Sequence, residues 1–267
     1  MRPQPGFTPN VMTLGKGARR ALALHCTMAF GGAWSGFSKA MPELTLVAPD
    51  MPSHGRSVDW DEASDFSDTV FAGSLSVMDE APMDVIGHSF GAVTALRLAL
   101  FHPERVRSLT LIEPVYFIIA QQDAPETVAS HDADAQPYAQ AIAAGDRETA
   151  ARAFNRMWSA EAPPWVSLPE RNRAAMIRAI HVVPDTHAFL FEDAAGLLAE
   201  GRMAACDIPT LLLRGETAHP AIVATNDGLA KRLPNARQSV VPGAGHMAPI
   251  SHPALTAEAV RSLLDQS

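Results

Sequence analysis

The stretch Asp84-Val85-Ile86-Gly87-His88-Ser89-Phe90-Gly91-Ala92 decides how this chain is read. An apolar run leads into Gly87 and a helix-like apolar run follows Ser89, so the serine stands at a strand-to-helix turn. The glycines two residues before and after it have a steric reason, because the backbone of such a turn closes on itself. The turn lifts the hydroxyl clear of the sheet edge. It also aims the unpaired N–H groups of the following helix at the same point. A helix-capping serine in a glycine-rich turn is the bland alternative. The strand–turn–helix context favours a nucleophile.

A serine hydroxyl is a weak nucleophile at neutral pH and needs a base. Ten histidines compete for that role. His246 lies in Val241-Pro242-Gly243-Ala244-Gly245-His246-Met247, a glycine-rich loop between the last strand-like run and the last helix-like run. Such a loop falls at the carboxyl edge of a parallel sheet, the edge that carries Ser89. His246 is therefore the candidate base. His88 is expected to point away from the nucleophile, and His25 and His54 to order turns by hydrogen bonding. His102 and His252 precede prolines at helix edges, while His181 and His187 read as surface positions.

Outward from this turn, apolar runs at 21–25, 44–48, 83–86, 108–112, 209–213 and 237–241 alternate with helix-like segments at 34–40, 67–79, 90–101, 222–233 and 253–265. That rhythm predicts an α/β fold with a mostly parallel sheet flanked by helices on both faces. Between about 117 and 205 the rhythm stops. Segments 137–144, 147–159, 169–181 and 187–201 carry helical apolar spacing, broken by Pro163-Pro164 and Pro184. The division is thus a core of 1–116 and 206–267 with a helical lid inserted at 117–205.

Bulk properties narrow the function. With 267 residues, 47% hydrophobic, the chain can bury one large core. A net charge of −8 and the lack of a basic run argue against nucleic-acid binding. No apolar stretch is long enough for a membrane span, and the first residues lack a signal-peptide core, so a cytoplasmic protein is expected. Cys26 and Cys206 form no disulfide framework or CxxC pair and read as buried hydrophobes. No metal or other cofactor is implied; the expected partner is a small-molecule substrate.

The segment Leu24-His25 to Trp34, the turn Pro49-Asp50-Met51-Pro52-Ser53-His54-Gly55-Arg56-Ser57, the Ser89 elbow and Gly243-Ala244-Gly245-His246 together resemble the α/β-hydrolase superfamily. The resemblance covers almost the whole chain and is to the lidded esterase, lactonase and C–C hydrolase branch. It implies an order of nucleophile, acid, histidine along the chain. Family members commonly place the acid in a Gly-x-x-Asp turn, which here reads Gly215-Glu216-Thr217-Ala218. The usual aspartate is missing. Some relatives carry the acid one strand earlier, where this chain has Glu113 after Leu109-Thr110-Leu111-Ile112. Glu113 is the first candidate, Glu216 the second and Asp227 the third.

The oxyanion donors implied are the N–H of Phe90, after the nucleophile, and that of Thr27, by likeness to a His-Gly-x turn. Cys26 replaces the usual glycine, which leaves Met28 as the alternative donor. Aromatic and apolar residues of the inserted segment, among them Phe117, Trp158 and Trp165, with Met28 from the core, are expected to line a mostly apolar pocket. The expected reaction is hydrolysis of a carboxylic ester or lactone through an acyl-enzyme. Cleavage of a C–C or amide bond on the same residues, or a catalytically silent ligand receptor, are the alternatives.

Overall fold

The structure, a computed structural model, describes residues 1–159 and 163–266. Seven strands form one sheet: β1 (Val11–Gly15), β2 (Arg19–Leu24), β3 (Leu44–Pro49), β4 (Met83–His88), β5 (Val106–Ile112), β6 (Thr210–Gly215) and β7 (Ala236–Val241). Their order is β1-β3-β2-β4-β5-β6-β7. Only β1 runs antiparallel, paired with β3; every other pairing is parallel.

Successive residues on a strand face opposite sides of the sheet, so an apolar run feeds two cores at once. Leu22, Leu24, Val85, Leu111 and Leu212 enter one core, with α2 (Phe66–Ser76), α3 (Phe90–Phe101) and α9 (Pro220–Arg232). Ala21, Ala23, Ile86, Ile112 and Leu213 enter the other, under α1 (Ser35–Ala40), α10 (Ala248–Ser251) and α11 (Pro253–Leu264). The mostly parallel, two-sided α/β sheet expected from the sequence is the sheet observed.

Between β5 and β6 lie α4 (Phe117–Asp123), α5 (Pro125–Ala143), α6 (Arg147–Trp158), α7 (Glu170–Ala179) and α8 (His187–Phe191). A small cluster of Ala141, Ala150, Ala151 and Ile180 ties α5, α6 and α7 together.

Several boundaries differ from the sequence reading. Strand β1 was not anticipated. The helix expected to start at Pro137 instead runs from Pro125, the proline at its first turn, and continues through Pro137. The helix expected over 187–201 stops at Phe191. Asp193, in a left-handed conformation at φ 52°, takes the N–H groups of Leu197 and Leu198 on its carboxylate and accepts the Tyr116 hydroxyl. Those bonds give the backbone an alternative to the helix.

No helix among the described residues is long and apolar enough to cross a membrane. Both cysteines are buried and unpaired, and burial pushes the Cys26 thiol up to about 12.

Candidate active site

Ser89 occupies the corner between β4 and α3 with φ 57°, a left-handed conformation for a residue that is not glycine. Its N–H donates to the Ile112 carbonyl at 2.9 Å, which anchors the corner on β5. A methyl group on Gly87 would come within 2.3 Å of the Gly91 carbonyl oxygen. One on Gly91 would come within 2.4 Å of the Leu24 carbonyl oxygen. The glycines thus let α3 close onto β4 and onto the end of β2, which explains their spacing around Ser89.

His246 reaches this corner from the loop after β7. Its Nε2 lies 3.0 Å from Ser89 Oγ, and its Nδ1 lies 3.0 Å from Glu113 Oε2. The pattern assigns the proton to Nδ1, donated to the carboxylate, and leaves Nε2 to accept from the serine. Ser89, His246 and Glu113 are all buried, Glu113 with no exposure at all. A buried carboxylate is tolerated because both oxygens are engaged. Its second oxygen, Oε1, accepts the Gly215 N–H at 2.6 Å.

Glu113 itself has φ 50°, and its N–H donates to the Leu213 carbonyl at 2.7 Å. The chain therefore turns sharply as it leaves β5, with the carboxylate directed across β6 towards His246. The other acids stand elsewhere. Glu216 is exposed and accepts the Gly243 N–H at 2.8 Å, bracing the His246 loop from its outer side. Asp227 is exposed on α9 and bonds Gln238.

His88 does not simply point away. Its Nε2–H donates to the His246 carbonyl at 2.8 Å, fixing the His246 backbone. His25 and His54 each donate Nδ1–H to a carbonyl, of Cys26 and Pro52, and each accepts a backbone N–H on Nε2, from Met51 and Met28. The Met28 N–H is thus engaged, against its standing as an alternative oxyanion donor. Among the described residues, the N–H groups of Thr27 and Phe90 have no hydrogen-bond partner. His181 is less exposed than its surface reading implies, stacked on Trp60, whereas His187 is exposed.

Burial pushes the imidazoles of His54 and His88 down to about 3, helped by the neighbouring His25 and His246 respectively. Burial lowers His25 as well. The unfolded chain takes up protons at His54 and His88 below about pH 6.5, and the folded chain does not until about 3. The contribution of these histidines to folding stability is therefore fully present above that upper value and is lost progressively on acidification. Urea unfolding is expected to show a lower midpoint at about pH 5 than at about pH 7.5. An unchanged midpoint would contradict the buried neutral state of these histidines.

One wall beside His246 is aromatic. The Trp158 ring lies 4.4 Å from the His246 ring, centre to centre. Phe117 stacks behind it at 6.3 Å and packs on Phe191 and His131. His131 was not singled out from the sequence, yet its ring also lies 5.7 Å from Trp158. Met28 and Trp165 pack instead against the small cluster of α5, α6 and α7. Among the described residues, no group of three or more His, Cys, Asp or Glu side chains is arranged to hold a metal ion.

The sequence profile described as Alpha/beta hydrolase family matches residues 21–259. The chain is 34% identical over 101 residues to Lipase LipV of Mycobacterium tuberculosis, covering 37% of this chain and 38% of that one. It is 35% identical over 98 residues to a pimeloyl-[acyl-carrier protein] methyl ester esterase of Neisseria meningitidis, covering 35% of this chain and 37% of the relative. These matches thus span less than two-fifths of either relative's length. A solved structure of a hydrolase from Pseudomonas aeruginosa superimposes with a TM-score of 0.72, at 21% identity, covering 95% of this chain and 93% of that one. At that identity the likeness is one of fold.

Proposed function

The chain belongs to the alpha/beta hydrolase family, and from that premise we propose that it is a serine hydrolase of carboxylic esters or lactones. The observation that carries the reading is the position of His246, with one ring nitrogen 3.0 Å from Ser89 Oγ and the other 3.0 Å from Glu113 Oε2. A serine can be deprotonated there as it attacks, while the carboxylate stabilises the imidazolium that forms.

Ser89 Oγ bonds to the carbonyl carbon and its proton passes to His246 Nε2. The carbonyl oxygen becomes an oxyanion facing the free N–H groups of Phe90 and Thr27. Collapse breaks the bond to the alkoxy group, which leaves as the alcohol with the proton from His246. Water, deprotonated in turn by His246, then attacks the acyl-enzyme; the bond to Ser89 Oγ breaks, the acid leaves, and the proton returns from His246 to Ser89. No metal or other cofactor is needed in this sequence.

Helices α4–α8 serve in this reading as the lid over residues 117–205, and they supply the aromatic wall. Trp158, beside His246 and backed by Phe117, suits an apolar acyl chain or an aromatic group. That the two curated relatives are named as a lipase and a methyl ester esterase supports an ester as the bond cleaved.

The test combines a fluorophosphonate probe with p-nitrophenyl esters of graded chain length. Covalent labelling, and turnover that prefers a medium or aromatic acyl group over acetate, is the expected result. No labelling and no turnover of any ester would overturn the proposal.

A further inference from the structure

The loop that carries Thr27 begins where β2 ends, and a second loop, beginning where β3 ends, is laid against it. Three bonds cross between them. Met51 N–H donates to His25 Nε2 at 3.1 Å, Met28 N–H donates to His54 Nε2 at 3.0 Å, and Gly31 N–H donates to Asp50 Oδ1 at 2.7 Å. Within the first loop, the Cys26 carbonyl accepts both His25 Nδ1–H, at 2.8 Å, and the Ala29 N–H, at 3.1 Å. Met28 is held at φ 63°, a conformation that a side chain other than glycine's adopts only under constraint.

We infer that His54 is a positioning residue for the oxyanion-stabilising backbone: by accepting the Met28 N–H it fixes the turn that leaves the Thr27 N–H free. The inference rests on the serine-hydrolase reading above. Two neighbouring N–H groups compete for a role that one of them fills, and His54 removes Met28 from the competition. The loop also lies close to the nucleophile's helix. Leu24 pairs in register with Gly87, and Gly91 packs against the carbonyls of Leu24 and His25. The start of α3, with the Phe90 N–H, is therefore placed beside residues 26–28.

The chemistry of His54 fits an acceptor that must not change. Its Nδ1–H is held by the Pro52 carbonyl at 2.8 Å, which fixes the tautomer and leaves the Nε2 lone pair to Met28. The ring is buried, which disfavours a positive charge on it, and His25 at 5.3 Å, Arg178 and His181 nearby disfavour it further. The acceptor stays neutral across the pH range in which an ester hydrolase is assayed. Cys26 stands where a glycine is usual in the family, and these bonds hold the loop without one.

The experiment compares wild type with His54→Leu and His54→Gln on one p-nitrophenyl ester. Leucine fills space but offers no acceptor, and kcat is expected to fall on the order of 100-fold with little change in KM, the scale of losing one oxyanion donor. Affinity for an alkyl boronic acid, whose tetrahedral adduct mimics the oxyanion, should fall in parallel with kcat. Glutamine places an amide oxygen near the Nε2 position and should restore most of the loss. An unchanged kcat in His54→Leu, a change confined to KM, or a glutamine variant as impaired as the leucine one would overturn the inference. Should the leucine variant not fold, nitrogen NMR of the wild type decides: Nε2 must remain unprotonated from about pH 5 to 8. A protonated Nε2 in that range overturns it. A wild type that hydrolyses no ester fails the serine-hydrolase reading itself, whereas an active wild type with an indifferent His54 fails this inference alone.

Discussion

Ser89→Ala is expected to lower ester turnover on the order of 10⁶-fold, the scale seen when a serine hydrolase loses its nucleophile. The oxygen removed is the atom that bonds to substrate, and no neighbour can replace it. His88 is committed to the His246 carbonyl, and the Cys26 thiol is buried, with its ionisation pushed up to about 12. Folding should be little affected, because the structural duty of residue 89 is carried by its N–H on Ile112, which alanine keeps. The positive φ is strained for alanine as well as for serine, so a modest fall in melting temperature is compatible with the account. Steady-state kinetics with p-nitrophenyl butyrate, alongside thermal unfolding, check both parts. A variant retaining more than a small fraction of wild-type turnover would show that another group attacks the substrate.

The second large effect concerns the acid. Glu113→Gln is expected to lose turnover on the order of 10⁴-fold, the loss that follows removal of a triad carboxylate's charge. The amide can still accept the Gly215 N–H, so the fold around β6 has its bond. What it cannot do is stabilise the imidazolium. Its NH₂ group also opposes Nδ1–H and favours the tautomer that turns a proton, rather than a lone pair, towards Ser89. Glu216→Gln is expected to retain turnover, since that side chain is exposed and its bond to the Gly243 N–H survives in the amide. The reverse ranking, measured as kcat for the two variants under identical conditions, would move the acid to Glu216 and leave Glu113 as a buried structural group.

The parts of this fold that were readable from sequence are those dictated by local sterics and by burial on two faces. The central strands are continuous apolar runs, because a parallel sheet covered on both sides leaves no face for polar residues. Strand β1 escaped notice for the converse reason. It is a short edge strand whose residues alternate between exposed and half-buried, and Val-Met-Thr-Leu-Gly carries little signal. The Gly87-His88-Ser89-Phe90-Gly91 spacing was legible because only glycine fits where α3 closes onto β2 and β4.

The candidate site was legible one residue at a time and not as a geometry. Ser89 and His246 could be assigned to one sheet edge from their places after strands. Nothing in the sequence states that Glu113 takes a left-handed conformation, which is what sends its carboxylate across β6. His131 was overlooked because Pro137 reads as a helix start, whereas α5 begins at Pro125 and carries His131 into the aromatic cluster. The His54–Met28 bond links loops that follow different strands, and no local pattern announces it.

The central claim is that His246 activates Ser89. Its most direct test is the site and rate of fluorophosphonate modification, read by tandem mass spectrometry in wild type and in His246→Ala. A single adduct is expected on the peptide containing Ser89, formed rapidly in wild type and slowed by orders of magnitude in the variant. An adduct on a different residue, or equal rates of modification with and without His246, would contradict it.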